Sequence, residues 1–350
     1  MAGKLWFAIP GDIENRTGGT IYDKQVIAEL RGMGWQVEHL AWPASFPYPS
    51  DADIETAAKS LAVCPDGALV LIDGLAFGVL PEVAAAEARR LNLVALVHHP
   101  LALEVGVSPD IAQSLAASER RALAHVRAII VTSELTAATL RADYGIGTTP
   151  ITVAIPGIHK PGPFRRPGNV VPHLLSVGMI IPRKAHDILV ESLALITDLE
   201  WRCTIVGSLD RSPETVTELK KLISKYSIDY QITLTGEIND LDPLYRSADI
   251  LVSSSRYEGY GMAVAEAMAY GLPIVAANVG ANPEVVPEDS GILVPAGDPM
   301  ALAAALRRLL DDPPYRATLA AGATKAALSL ASWKDTAAKV ASALDAVQLQ

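Results

Sequence analysis

The chain has 350 residues, 50% hydrophobic and 19% charged, with a formal net charge of −10. That length predicts two domains rather than one core, and so low a charge content excludes long disorder. The acidic balance argues against nonspecific nucleic-acid binding, and no block of Lys and Arg offers a site for anionic lipid.

In chain order, apolar β-rich runs at 5–10, 68–73, 93–98, 128–132 and 151–155 read as buried parallel strands, with helical patterns at 22–33 and 112–125 between them. Segment 156–168 is dense in proline and glycine, which is a linker signature. The alternation then restarts, with strands at 174–178, 201–207, 231–235, 250–253 and 273–276 and a short last one at 292–295. Helices fall at 186–196, 213–225, 263–270 and 300–310. Two such series predict an α/β protein of two Rossmann-like, doubly wound domains, 1–160 and 161–330. Ligands of such sheets bind beyond the C-terminal strand ends, so a cleft between the halves is the expected site. Cys64 and Cys203 lie far apart and read as free thiols. The N-terminal apolar run is too short for a signal peptide, and no segment reaches the roughly 20 apolar residues of a bilayer span. The expectation is a soluble, cytoplasmic protein with no integral membrane segment.

The densest chemistry lies in the run from Arg256 to Ala269, where Glu258 and Glu266 bracket the glycine-rich turn Gly259-Tyr260-Gly261 before an apolar helix. Free amides at a helix N-terminus bind anions, whereas a carboxylate beside them is suited to accept hydrogen bonds from hydroxyls. One ligand carrying both features is a sugar nucleotide. Glu266 is set among Val264, Ala265, Ala267 and Met268, so it needs hydrogen-bond partners. Arg183 and Lys184 are the candidate holders of a diphosphate, one by bidentate bonding and the other as a compact charge. Gly18 and Gly19 stand between the first strand and its helix, where a Gly-Gly pair ordinarily marks a flexible turn. His98 and His99 end a buried strand before Pro100, where imidazole can bond a sugar or orient a hydroxyl. The sequence does not say which of the two acts. Asp12, Asp73 and Glu104 are weaker candidates. The aromatic, proline-rich run 42–49 reads equally as the border of a pocket or as a packed loop. No metal is implied, since the seven histidines lack metal-ligand spacing.

These residues resemble the retaining, family-4 type of glycosyltransferase with GT-B architecture. Glu258 to Glu266, with Ala267-Met268-Ala269, is similar to that family's Glu-x7-Glu element. The resemblance extends to 271–276, 279–286, Ser176-Val177-Gly178 with Pro182-Arg183-Lys184, 245–250 and Ser332-Trp333, and more loosely to 17–20 and His98-His99-Pro100. Two departures stand out: Met179 where many relatives carry arginine, and Ala185 where glycine often follows the lysine. The resemblance implies a nucleotide-diphosphate sugar donor, with UDP and GDP sugars (GDP-mannose among them) as leading candidates, and no cofactor. It assigns Arg183, Lys184, Glu258 and one of His98 and His99 to catalysis. It assigns Gly18, Gly19, Gly178, Gly259, Tyr260, Gly261, Met262 and Glu266 to the donor, Glu266 on the ribose. It implies metal-independent, front-face transfer of a hexose, and a C-terminal helix over 331–350 that crosses back to the first domain. The acceptor stays open among a sugar, a small alcohol and a lipid-linked molecule. A nucleotide-sugar hydrolase or phosphorylase-like enzyme, and a nonenzymatic sugar-nucleotide binder, are the rival readings.

Overall fold

The computed structural model describes residues 3–164 and 168–349. Arg165, Arg166 and Pro167, inside the expected linker, lie outside the described residues. The chain divides into two compact units, one running to Gly157 and resuming at Ala331, the other spanning Ile158–Leu330. Each is an α/β unit built on a six-stranded parallel sheet.

In the first unit the strands are β1 (Lys4–Pro10), β2 (Gln36–Trp42), β3 (Leu69–Asp73), β4 (Asn92–Val97), β5 (Ala128–Val131) and β6 (Ile151–Val153), in the order β2-β1-β3-β4-β5-β6. β3 and β5 are buried along their whole length, because helices cover both faces of a parallel sheet. β2 is the strand that the apolar-run reading does not find. It is an edge strand that buries Val37 and Trp42 and exposes Gln36, Glu38 and Ala41, so it makes no continuous apolar run. The helix Trp333–Gln348 starts on a Ser332–Asp335 capping box and packs on the helix Gly18–Gly32 and on β3 to β6. A Cβ on Gly157 would lie 2.2 Å from the Trp333 amide nitrogen, so only glycine permits this backbone contact where the returning chain joins the unit.

In the second unit the strands are β7 (His173–Val177), β8 (Arg202–Val206), β9 (Ile232–Leu234), β10 (Ile250–Ser253), β11 (Ile274–Ala277) and β12 (Gly291–Val294), in the order β12-β11-β10-β7-β8-β9. Its core joins Leu174, Cys203, Ile205, Ile250, Val252 and Val275 of the sheet to leucines and isoleucines of the covering helices. Each sheet has one place where successive connections diverge to opposite sides: β1/β3 in the first and β7/β10 in the second. Loops leaving the strand ends part there and leave a crevice, which is where such sheets bind ligands.

Candidate functional site

In the second unit the loops that follow β7 and β10 bring the expected residues together. Gly178 directly follows β7 and donates its N–H to the Val206 carbonyl at 2.8 Å. The Lys184 side chain lies over it, with its Cδ 3.2 Å from where a Gly178 Cβ would stand. Pro182–Lys184 forms one 3-10 turn that closes on Ala185 at φ 50°, ψ 44°. This left-handed backbone explains why glycine suits the position; a Cβ there costs about 1–2 kcal/mol. The Ser254 hydroxyl donates to the Ala185 carbonyl at 2.7 Å and holds the turn.

Lys184 Nζ donates to Glu258 Oε1 at 2.6 Å, and Ser255 Oγ donates to the same oxygen at 2.6 Å. Arg183 Nη1 stands 3.9 Å from Glu258 Oε2 and donates to the Tyr257 carbonyl at 3.2 Å. Glu258 is only 6% exposed. Burial pushes its pKa up, but the charges of Lys184 and Arg183, with hydrogen bonds from Lys184 and Ser255, outweigh burial and hold it below the usual carboxylate value. Two permanent cations against one carboxylate leave this crevice with surplus positive charge. Arg256 ties the two loops together, paired with Asp187 at 2.6 Å and donating to the Pro182 carbonyl at 2.6 Å. Buried beside them, His186 has its pKa pushed down to about 4 by burial and then by the Lys184 charge. It is neutral at pH 7 and adds no charge of its own.

The helix Met262–Ala269 starts behind Gly261, which has a φ of 92° and gives the first turn no side-chain cap. Gly259 and the buried Tyr260 form the bend before it. Gly280 packs under this bend at φ 53°, and a Cβ there would lie 1.9 Å from the Glu258 carbonyl oxygen. Glu266 accepts a hydrogen bond from the Tyr245 hydroxyl at 2.8 Å, the partner its apolar setting demanded. Burial raises the Glu266 pKa, and the Tyr245 bond opposes that. Tyr245 is itself stacked on Tyr270, with ring centroids 5.0 Å apart. Tyr245 and Ser255, the hydrogen-bond partners of Glu266 and Glu258, are not singled out by the sequence. Tyr245 stood inside the quoted 245–250 segment with no role assigned.

In the first unit, Gly18 and Gly19 are not a turn before the helix. They are its first two residues, behind the N-cap Thr17, because the Thr17–Thr20 capping box starts the helix earlier than its apolar pattern does. Gly19 packs on His98: a Cβ there would lie 3.3 Å from the ring Cδ2. His98 Nε2 stands 3.1 Å from Asp73 Oδ2 and 3.3 Å from Asp23 Oδ1. His99 faces elsewhere, with Nε2 3.4 Å from Glu104 Oε2. Asp12 accepts from the Glu14 amide at 2.9 Å, a local turn bond. In the 42–49 run Trp42 and Phe46 are buried and packed together, so that part is core rather than pocket border. Asp23 went unmarked because it sits inside an apolar helical pattern, between Tyr22 and Val26, where only burial would single it out.

Residues 169–326 match the family described as glycosyl transferases group 1. The second unit carries a glycosyltransferase group 1 domain. A D-inositol 3-phosphate glycosyltransferase of Xylanimonas cellulosilytica is 36% identical over 170 residues, covering 48% of this chain and 40% of that protein. An MMP alpha-(1->4)-mannosyltransferase of Mycolicibacterium hassiacum is 28% identical over 316 residues, covering 85% of this chain and 75% of that protein. The matched part is thus well under half of the inositol-phosphate relative, and most of the mannosyltransferase. Among solved structures, Anabaena HepE in complex with UDP-glucose superposes with a TM-score of 0.78 at 19% identity, over 98% of this chain and 99% of that one. At that identity the likeness is one of fold, the two Rossmann-like units of GT-B proteins. Arg183, Lys184, Glu258 and Glu266 all fall inside the matched group 1 domain.

Proposed function

We propose that this protein is a retaining glycosyltransferase that moves a hexose from a nucleotide-diphosphate sugar to an acceptor hydroxyl. The observation that carries the reading is the pair of cations, Arg183 and Lys184, drawn to the single buried carboxylate of Glu258 at the divergence point of the second sheet. Cleavage of the glycosidic phosphate bond puts charge on the departing nucleotide, and fixed cations with uncapped helix amides stabilise that change. Glu258, with its charge committed to Lys184 and Arg183, is a poor nucleophile toward an anomeric carbon. Its carboxylate is better placed to accept sugar hydroxyls, and attack from the face of the leaving phosphate needs no such nucleophile. Glu266, oriented by Tyr245, takes the ribose hydroxyls. The inositol-phosphate and mannosyl relatives and the UDP-glucose complex of HepE support a sugar-nucleotide donor.

The testing experiment is a thermal-shift screen against UDP-, GDP-, ADP- and dTDP-sugars, followed by NMR of the product anomer. Stabilisation by one donor, lost in Glu266→Ala, and an axial product from an axial donor are expected. An inverted product contradicts the retaining mechanism. No donor binding at all contradicts the whole reading.

A further inference from the structure

The first unit gathers its own set of polar side chains at the C-terminal ends of its strands. Asp73 ends β3, His98 directly follows β4, and Asp23 stands on the helix Gly18–Gly32 after β1. One atom from each, a carboxylate oxygen or an imidazole nitrogen, lies within 4.8 Å of the other two. Asp23 is fully buried and Asp73 is 4% exposed. Among the described residues, neither Asp23 oxygen nor His98 Nε2 has a hydrogen-bond partner, and all three atoms are sealed from solvent. A buried carboxylate left in that state is costly, so the cluster calls for a positive ligand.

We propose that Asp23, Asp73 and His98 are the protein ligands of a divalent cation of the zinc type, held through the two aspartate carboxylates and His98 Nε2. The inference goes beyond the glycosyltransferase reading and does not rest on it.

Spacing favours an ion over a proton. Nε2 stands 3.1 Å from Asp73 Oδ2 and 3.3 Å from Asp23 Oδ1. A proton on Nε2 needs a well-aligned acceptor, and neither contact makes a hydrogen bond. An ion needs no such alignment. Ligand atoms about 2.0–2.2 Å from one zinc stand roughly 3.0–3.4 Å from each other, which both contacts match. Charge agrees with spacing. Two carboxylates and a neutral imidazole bring two negative charges, and among the described residues no Lys or Arg pairs with either carboxylate. A divalent ion balances them. Calcium and magnesium prefer oxygen shells of six or more ligands, whereas an imidazole with two carboxylates suits zinc.

The surroundings hold the ligands in place. Asp73 Oδ1 accepts the Leu75 amide at 2.7 Å, which leaves Oδ2 turned to the cluster. Thr132 Oγ1 donates to the His98 carbonyl at 2.9 Å. The Tyr22 ring meets the imidazole edge-on at 5.2 Å, with its hydroxyl bonded to the Ala154 carbonyl. Gly19 leaves room for the ring, since a Cβ there would lie 3.3 Å from Cδ2. The His98 side chain keeps 19% exposure, which gives an ion a way in. When zinc takes the Nε2 lone pair, a proton on that nitrogen leaves for solvent. The ligands come from three separate elements, so no short spacing in the sequence announces them.

The test is zinc titration of the chelator-stripped full-length protein, read by calorimetry and by Tm, which needs no turnover. One ion per chain and a raised Tm are expected of the wild type. Asp23→Asn and Asp73→Asn should each weaken zinc binding at least tenfold and lose the rise in Tm, since each removes a charged ligand. Asparagine at 73 can still accept the Leu75 amide, so the cap survives. Glu104→Gln, which alters the neighbouring His99–Glu104 pair, should bind zinc as the wild type does. Equal binding by the wild type and both aspartate variants means that zinc is held by surface histidines, and overturns the site. A wild type that takes up no stoichiometric zinc overturns it as well. Should both variants fail to fold, histidine nitrogen NMR of the wild type decides. Zinc must then shift His98 Nε2 and leave the other histidines in place; a response elsewhere, or none at His98, contradicts the proposal. Zinc binding without any sugar transfer leaves the site standing while the glycosyltransferase reading falls. Sugar transfer by a protein that never binds zinc does the reverse.

Discussion

The two units use the same topological position for opposite charge arithmetic. At the β7/β10 divergence, two permanent cations converge on one buried carboxylate. At the β1/β3 divergence and the neighbouring end of β4, two buried carboxylates converge on one histidine. The first arrangement carries surplus positive charge and suits a diphosphate. The second carries none. The shared sheet topology decides where a ligand is offered room, and the loop residues decide what kind of ligand it is.

The largest expected effect comes from removing the fit beneath Glu258. Gly280→Ala places a Cβ 1.9 Å from the Glu258 carbonyl oxygen at a φ of 53°, so the loop must move. A loss of ~3 kcal/mol or more by denaturant unfolding is expected, from strain and overpacking together. An alanine variant as stable as wild type would mean that the bend carrying Glu258 is not held where it is described.

Next comes a contrast in pH dependence. His186 has a folded pKa of about 4, below its unfolded value of 6.5, so its share of stability is complete above 6.5 and is lost as pH falls toward 4. Denaturation at pH 7 and pH 5 should differ by about 2 kcal/mol from this group, and His186→Leu should flatten that limb. Glu258, whose pKa is also lowered, adds to the acid loss at still lower pH. Three buried groups of the first unit run the other way. His98, Asp23 and Glu119 all have raised pKa values, so their contribution is present at low pH and is lost as pH rises through the folded values. Acid should loosen the second unit first, and alkali the first unit, as read by hydrogen exchange across pH. The same unit opening first at both extremes would break the comparison.

Smaller effects sharpen it. Tyr245→Phe removes the hydroxyl that orients Glu266 and leaves a buried carboxylate less satisfied. A loss of about 1–2 kcal/mol and weaker donor binding, with the Lys184–Glu258 pair untouched, are expected. Ala185→Gly relieves the left-handed strain at φ 50° but adds unfolded-state freedom. The net gain should stay under ~1 kcal/mol in a melting experiment.

Much of this was legible from residues alone, for physical reasons. Strands buried on both faces are continuous apolar runs, so 250–253 and its neighbours stand out, whereas β2, a half-exposed edge strand, does not. Glu258 stands out as a carboxylate beside a glycine turn, Arg183 and Lys184 stand out through the family resemblance, and the structure brings the three together. On spacing alone Gly18 and Gly19 read as a flexible turn, yet the Thr17 capping box starts the helix at Gly18. Asp23 was invisible, since nothing in a helical pattern tells a buried aspartate from an exposed one. Ser255 and Tyr245 were equally silent, because their roles arise from contacts with Glu258, three residues on, and with Glu266, 21 residues on.

Whether the second unit grips a diphosphate through its paired cations can be measured directly. Calorimetric titration of the donor found by screening, against wild type and Lys184→Met, measures this without requiring an acceptor. Binding weakened at least tenfold in the variant, with its melting transition still cooperative, is the predicted result. Equal affinity in the two proteins would contradict it and would remove Lys184 from the site.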